Sequence, residues 1–459
     1  MRIAIAQAPG TPLSRWRQTL ELIDNLIEDA ARQHADSVLL PECVWPAYDI
    51  GSPRAYHEAR SAGMPSPADF LQHLQAAAQR HHIGICAGYI EEQDDILLNA
   101  ASLIDADGHL LGTHHKCFLW DFDHEYFRPG NVIRPITSPA GCIGIMICAD
   151  ARLPEIPATL VARGATLILQ PTAWVNIGTP PQLRNPQPEY LIPARAREFG
   201  VPIASTSKWG QEGNTTFVGS SLICDATGNV VAQCRTTETK VVSAEVALAT
   251  PHRPAIPGEQ HGAVLAPTPP RKPRRDVPRF WLLPVPPTSL NNDSGPDLAY
   301  PAVEGEPLVA FSLGCGADVR AAPPTGAHND RLTLAAPTNE PIEFRGGRLA
   351  AVDARDVTSF ARIRALALDG VHLVLVVGER VPTLLLRTRA CENRIYVASA
   401  HPDGWSLVDP RGDILATGTW PSSAVNARPH PVDLSLAADK EFAARTDMMA
   451  DRCPVQYEF

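Results

Sequence analysis

Two stretches of this chain lie in register without a gap. With Gly347 placed on Gly141, Gly370 falls on Gly164, both pairs 206 residues apart. In that register GCIGIMICADARLPEIPATLVARGATLILQP faces GRLAAVDARDVTSFARIRALALDGVHLVLVVG. Each reads as an apolar strand, a turn with Asp150 or Asp356, a helix, a glycine that ends the helix, and a second apolar strand. Further along, ARAREFGVPIASTS resembles RTRACENRIYVASA, and ICDATGNVVA resembles LVDPRGDILA. A chain of 459 residues is too long for one ordinary core, so this repeat predicts a full domain followed by a shortened copy.

The first 250 or so residues alternate strand-like and helix-like runs. Residues 2–7 and 37–42 read as strands, and 14–34 as a helix with Leu20, Ile23, Leu26 and Ile27 on one face. A helix over 68–81 leads into strands at 83–92, 99–108, 142–148 and 166–172. Short strands linked by helices, with hairpin-like pieces between, indicate an α/β or layered α+β domain. Prolines then recur from 251 to 287, a density that disfavours helix and central strand alike. The expected organisation is a first domain over 1–260, a proline-rich linker over 261–300 and the shortened copy over 301–459.

The formal net charge of −10 argues against a nucleic-acid partner, which needs clustered Lys and Arg. The basic run at 271–275 sits among prolines and reads as solvated linker. Ten cysteines are too few for a disulfide scaffold, and Cys86, Cys142, Cys148 and Cys224 fall inside apolar runs. MRIAIAQAPG reads as a strand and not a signal peptide, and no apolar run is long enough to span a membrane. Reduced thiols in the cytoplasm are the expectation. No glycine-rich nucleotide loop and no H-E-x-x-H is present, so no cofactor and no metal are expected.

Three residues stand where a strand gives way to a loop: Glu42 after SVLLP, Lys116 in GTHHKCFLW and Cys148 at the end of CIGIMIC. Side chains at strand ends can converge on one pocket. A thiol is mostly protonated at neutral pH and needs a base to become a nucleophile. A buried Glu42 can take that proton and later activate water, while an ammonium from Lys116 stabilises the oxyanion of a tetrahedral intermediate. The blocks LLPE-x-x-x-x-x-Y, HHK-x-FLW and ICAD-x-R-x-PE resemble, in order and spacing, the signature blocks of the nitrilase (carbon–nitrogen hydrolase) superfamily. The similarity covers residues 1 to about 260. The resemblance implies a four-layer α-β-β-α sandwich that associates as dimers or larger assemblies. It also implies Glu42 as general base, Lys116 as oxyanion-stabilising lysine and Cys148 as the nucleophile that forms a thioester.

Many members of that superfamily carry a further glutamate after the lysine. In WDFDHEYFRPG, Glu125 matches the spacing of aliphatic-amidase-like members and Asp123 that of carbamoylase-like ones; Glu125 is favoured as the fourth catalytic residue. Asp123 is then assigned to the substrate pocket with Arg152, Tyr48, Trp120 and Trp174. True nitrilases typically follow the cysteine with Trp-Glu, and this chain has Ala149-Asp150, so amide substrates are favoured over nitriles. The expected reaction converts a small aliphatic or ω-substituted amide to acid and ammonia. The alternatives are an N-carbamoyl-amino-acid hydrolase, with Arg152 gripping the substrate carboxylate, and a non-catalytic nitrilase-like scaffold. In the second copy Ala354 stands in the place of Cys148, and no lysine occurs between Lys272 and Lys440, so that copy is expected to be inactive. A homo-oligomer, or a monomer whose halves form an internal pseudo-dimer, is the expected assembly.

Overall fold

The structure is a computed structural model that describes residues 1–179, 181–254, 256, 258–267, 279–284, 308–311, 331–334, 337–338, 340–420 and 428–459. The chain divides into two compact units. The first is Met1–Pro254 with Ala443–Thr446 and Cys453–Phe459; the second is Ala255–Phe442 with Asp447–Arg452.

In the first unit β1 (Arg2–Pro9), β2 (Ser37–Leu39) and β3 (Gly84–Gln93) run parallel, and β4 (Ile96–Ile104) and β5 (Leu110–His115) continue from β3 as a meander. A second sheet is built from β6 (Ile136–Ser138), β7 (Gly141–Ile145), β8 (Leu167–Pro171) and β9 (Ile203–Thr206), of which the last three are parallel. β10 (Lys208–Glu212) and β11 (Thr215–Val218) return to the first sheet beside β1. β12 (Leu222–Cys224) and β13 (Val230–Gln233) complete the second sheet, and β14 (Lys240–Glu245) lies antiparallel along β1.

Parallel neighbours need crossovers, and helices supply them. α1 (Trp16–Arg32) joins β1 to β2, and α2 (Pro53–Ser61) with α3 (Pro67–His81) joins β2 to β3. Past the single-turn α4 (Asp123–Tyr126), α5 (Glu155–Ala162) and α6 (Ile192–Phe199) link β7, β8 and β9. α1 and α3 pack on the first sheet and α5 and α6 on the second, while β1, β2 and β3 face β8 and β9. The result is the α-β-β-α sandwich. Its middle strands are covered on both sides, which is why Ile3 through Ala8 of β1 are all buried. α1 turns Ile23, Leu26, Ile27 and Ala30 inward at helical spacing. Ser66 and Asp69 form a capping box that starts α3.

Among its described residues the second unit holds α7 (Gly258–Leu265), α8 (Phe360–Leu368) and α9 (Thr383–Asn393) with a six-stranded and a four-stranded sheet. One runs β18 (Ile342–Phe344), β19 (Gly347–Asp353), β20 (Leu373–Val377), β21 (Tyr396–His401), β22 (Gly404–Val408) and β23 (Ile414–Gly418). Its pairings are antiparallel, parallel, parallel, antiparallel and antiparallel, the order found in β6-β7-β8-β9-β12-β13. The other sheet places β15 (Arg279–Pro284) between antiparallel β24 (His430–Asp433) and parallel β16 (Leu308–Phe311), with β17 (Arg331–Leu334) beyond.

Two sequence expectations need correction. The segment 261–300, read as linker, contains β15 and the end of α7, and its other residues beyond 267 lie outside the described ones. RFWLLP escapes the proline density because its only proline, Pro284, is the last strand residue and lies beyond the stretch that pairs with β24. Phe280 and Leu282 anchor it in the second unit's core. The strand expected over 142–148 stops at Ile145, and Cys148 opens a short 3-10 turn with φ of +45°.

Candidate active site

Glu42 lies three residues past the end of β2 and Lys116 one past β5; the two strands run the same way with β3 and β4 between them, so both residues leave the first sheet at the same end. Both side chains are fully buried. Glu42 Oε1 accepts from Lys116 Nζ at 2.7 Å and from Asn99 Nδ2 at 2.7 Å. Lys116 Nζ donates also to Asp123 Oδ2 at 2.6 Å, and Asp123 is held by the Trp120 N–H at 2.9 Å. Burial would lower the Lys116 ammonium, but the carboxylates of Asp123 and Glu42 hold it well above the usual lysine range. Burial raises the Glu42 carboxyl, the Lys116 charge opposes that rise, and the Asp123 charge adds to it. One ammonium shared by two carboxylates leaves Glu42 ready to accept a proton.

Cys148 is buried beside this cluster. Its thiol is pushed up to about 12 by burial and by the Glu42 charge, with Lys116, the Thr172 hydroxyl and the Ala173 N–H pulling the other way. At rest it is therefore a thiol, and a thiolate forms only when a base removes the proton. A left-handed backbone is uncommon for a side chain with a Cβ, and here it is kept by surrounding contacts. Gln170 Nε2 donates to the Cys148 carbonyl at 2.9 Å. Asp150 accepts from the Ile147 N–H (2.8 Å) on its own turn and from the N–H groups of Cys117 (3.1 Å) and Phe118 (2.8 Å) next to Lys116. His114 adds a ring nitrogen at 3.2 Å. One buried carboxylate thus fixes the cysteine turn to the lysine loop.

A small opening leads to the sulfur, lined by Trp120, Cys148, Ala149, Arg152, Ala173, Val175, Ile177, Asn185 and Gln187. Trp120 and Arg152 lie where the sequence places them. Glu125 does not. Its carboxylate is half-exposed and paired with Arg445 at 2.6 Å, and the acid on Lys116 is Asp123. Residues two apart on a helical turn point about 200° apart, so α4 can turn only one of the two toward the lysine. Tyr48 lies beneath the site and not along the opening, its ring 5.7 Å from Lys116 Nζ and tilted against Phe122 and Phe217. Trp174 is wholly buried and is a core residue, as is Trp45, which stacks on Phe70 at 4.6 Å. Asn99, Gln170 and Gln187 went unread; the first two carry a signal, a lone amide inside an apolar strand. Among the described residues, the group with donors converging as metal ligands do is Asp105, Asp107 and His109, which closes the β4–β5 turn through Asp105.

The family model described as carbon-nitrogen hydrolase matches residues 2–252. The omega-amidase of Danio rerio is 30% identical over 259 residues, covering 54% of this chain and 88% of that protein. The deaminated glutathione amidase of Mus musculus is 26% identical over 249 residues, covering 50% and 73%. A solved amidase from Nesterenkonia sp. AN1 shares 26% identity and a TM-score of 0.46, covering 54% of this chain and 93% of its own. A family match over more than half of the sequence carries the conclusion that the chain belongs to the carbon–nitrogen hydrolase family.

Proposed function

We propose that this hydrolase of non-peptide carbon–nitrogen bonds converts a small aliphatic or ω-substituted carboxamide to the acid and ammonia through a thioester on Cys148. The observation that carries this reading is the sharing of Lys116 Nζ between buried Glu42 and Asp123, beside the one thiol that lines the opening. Glu42 takes the thiol proton as sulfur attacks the carbonyl carbon, and the carbonyl electrons move to oxygen. Lys116 stabilises that oxyanion, and Asp123 keeps the ammonium charged and in place. Collapse breaks the C–N bond, and the leaving nitrogen takes the proton back from Glu42 and departs as ammonia. Glu42 then deprotonates water for attack on the thioester, and the proton returns to sulfur.

The walls of the opening supply apolar surface (Trp120, Val175, Ile177), two amides and one guanidinium, Arg152. That composition supports a short chain with a polar or anionic far end. Relatives named omega-amidase and deaminated glutathione amidase support the same class. An N-carbamoyl amino acid is the second reading, favoured by Arg152 on the wall. Ammonia release from short amides, ω-substituted amides, N-carbamoyl amino acids and nitriles decides between them, with Cys148→Ala as control. Release only from carbamoyl acids would overturn the amidase reading, and no Cys148-dependent release from any of them would favour a scaffold.

The second unit we read as a degenerate copy of the first. Beyond the strand order, local bonds recur 206 residues apart: the Thr166 N–H to Cys142 carbonyl and the His372 N–H to Arg348 carbonyl, both 2.8 Å. Buried Arg195 reaches the Ala151 carbonyl at 3.1 Å and buried Arg389 the Val357 carbonyl at 3.0 Å, again the same register on the turn. Ala354 replaces the nucleophile.

A further inference from the structure

One group on the pocket wall takes no part in the chemistry above: the carboxamide of Gln187. It is buried, and its Nε2 lies 4.0 Å from Cys148 Sγ. Amide nitrogen and oxygen are assigned from their partners, and here the partners leave one choice. Gln170 Nε2 faces the Cys148 carbonyl at 2.9 Å, an obligatory acceptor, so Gln170 cannot be turned over. The same Nε2 donates its other hydrogen to Gln187 Oε1 at 2.9 Å, and Gln170 Oε1 accepts from Ser205 Oγ at 2.6 Å. With Oε1 of Gln187 committed, its N–H groups must point at the sulfur. The Gln187 backbone is pinned as well, its N–H donating to Asn185 Oδ1 at 3.0 Å.

We propose that Gln187 is a catalytic residue that donates a hydrogen bond to the Cys148 thiolate, its donor aimed by the chain Ser205–Gln170–Gln187. The inference rests on the reading of Cys148 as nucleophile. A sulfur that gains negative charge draws the N–H closer, because a bond to a charged acceptor is roughly twice as strong as one to a neutral acceptor. Gln170 bonds both the Cys148 carbonyl and Gln187, so turn and donor are set by one side chain. The charged and titratable groups around this sulfur are Glu42, Lys116 with Asp123 behind it, Tyr48, and Arg152 on the same wall. None of them changes when Gln187 does.

The test is the rate of Cys148 alkylation by iodoacetamide against pH, followed on the Cys148 peptide by mass spectrometry. Full-length wild type, Gln187→Met and Gln187→Glu are compared, with thermal melts for each. Methionine fills the volume without a donor; glutamate keeps the acceptor for Gln170 and turns a carboxylate toward the sulfur. The alkylation midpoint should rise by about one pH unit in Gln187→Met, with a rate near neutral pH lower by about tenfold, and more in Gln187→Glu. kcat for ammonia release should fall in the same order. Should Gln187→Met not fold, Ser205→Ala, which releases only the far end of the chain, should give a smaller shift in the same direction. Folded variants whose pH profile and kcat match wild type would overturn the proposal and leave Gln187 as pocket wall. A Gln187-dependent profile in a protein that releases no ammonia from any amide would support the donor while removing the amidase reading.

Discussion

At the scale of single residues, the pair Asp123 and Glu125 tests how the buried lysine is held. Asp123 is sealed against Lys116, whereas Glu125 meets Arg445 in solvent. Removing one partner of a buried ion pair leaves the other uncompensated, at about 3–5 kcal/mol, while an exposed pair contributes about 0–1 kcal/mol. Asp123→Asn is therefore expected to lower the denaturation midpoint clearly and ammonia release by on the order of a hundredfold. Glu125→Ala should leave both within about twofold of wild type, given its exposure. Denaturant titration and initial rates check the pair, and equal effects of the two changes would contradict the assignment. Glu42 gives a second residue-level prediction with a definite sign. Its pKa is raised in the folded state, so between the ordinary glutamate value and the raised one the folded protein holds the extra proton. Stability contributed there is present at low pH and declines as pH rises. Glu42→Gln keeps an oxygen for Lys116 and Asn99, so it should abolish turnover yet flatten that decline in melts run from about pH 4 upward. The sequence made Glu42, Lys116 and Cys148 legible because each lies in a compact block. Its spacing favours Glu125 over Asp123, and the structure reverses that choice because the direction of a single helical turn, which spacing does not carry, puts Asp123 on the lysine.

At the scale of elements, the site depends on how strands end. β2, β5 and β7 stop short of Glu42, Lys116 and Cys148, and the loops that follow must be fastened to one another. Asp150 does this for two of them, with four donors on its two oxygens. Asn at this position would bring an NH2 against at least one N–H and leave buried donors without acceptors, each costing about 1–3 kcal/mol. Asp150→Asn should therefore cost about 2–4 kcal/mol in denaturant and slow ammonia release. Full activity with wild-type stability would show that the two loops are fixed by something else. Strand and helix positions were readable from periodicity, because α1, α3 and the parallel strands bury residues at the spacings their geometry dictates. The joins were not. Gln170, Gln187 and Ser205 are dispersed over the sequence: the first and last meet through sheet pairing of β8 with β9, and Gln187 reaches Gln170 from the helical turn before α6. Trp174 is a similar case: it lies three residues past β8, and adjacency to a motif does not say whether a loop side chain turns to the opening or, as here, into the core.

At the scale of the whole molecule, the question is what two units of related topology do with one reactive thiol. Part of the first unit comes from the far end of the chain: Thr446 Oγ accepts the Asp121 N–H at 2.8 Å, and Arg445 meets Glu125, both on the segment that carries Asp123. A short segment that interrupts the second unit in sequence, Ala443–Thr446, thus helps shape the loop that holds Lys116. Thr446→Val should lower kcat by a few-fold while the melt moves little, the cost of one lost hydrogen bond being about 1 kcal/mol. Within the second unit, the turn at Ala354 keeps one bond of the Cys148 turn, the Asp353 N–H reaching Asp356 as Ile147 reaches Asp150, but Ala354 does not take the left-handed backbone of Cys148. Gly378 lies against Ala354 where Thr172 adjoins the sulfur, and the lysine at 440 is occupied by the Asn393 and Arg394 carbonyls at 2.9 and 2.7 Å. Among the described residues no buried carboxylate–lysine pair like Glu42 and Lys116 adjoins that turn, and the cost of burying a charge there would keep an introduced thiol protonated. The double variant Cys148→Ala, Ala354→Cys should therefore release no ammonia from any amide that wild type cleaves, and the introduced thiol should react with iodoacetamide no faster than a free thiol at the same pH. Measurable turnover in that variant would mean that the second unit retains a working base and cation, and that its role is catalytic after all.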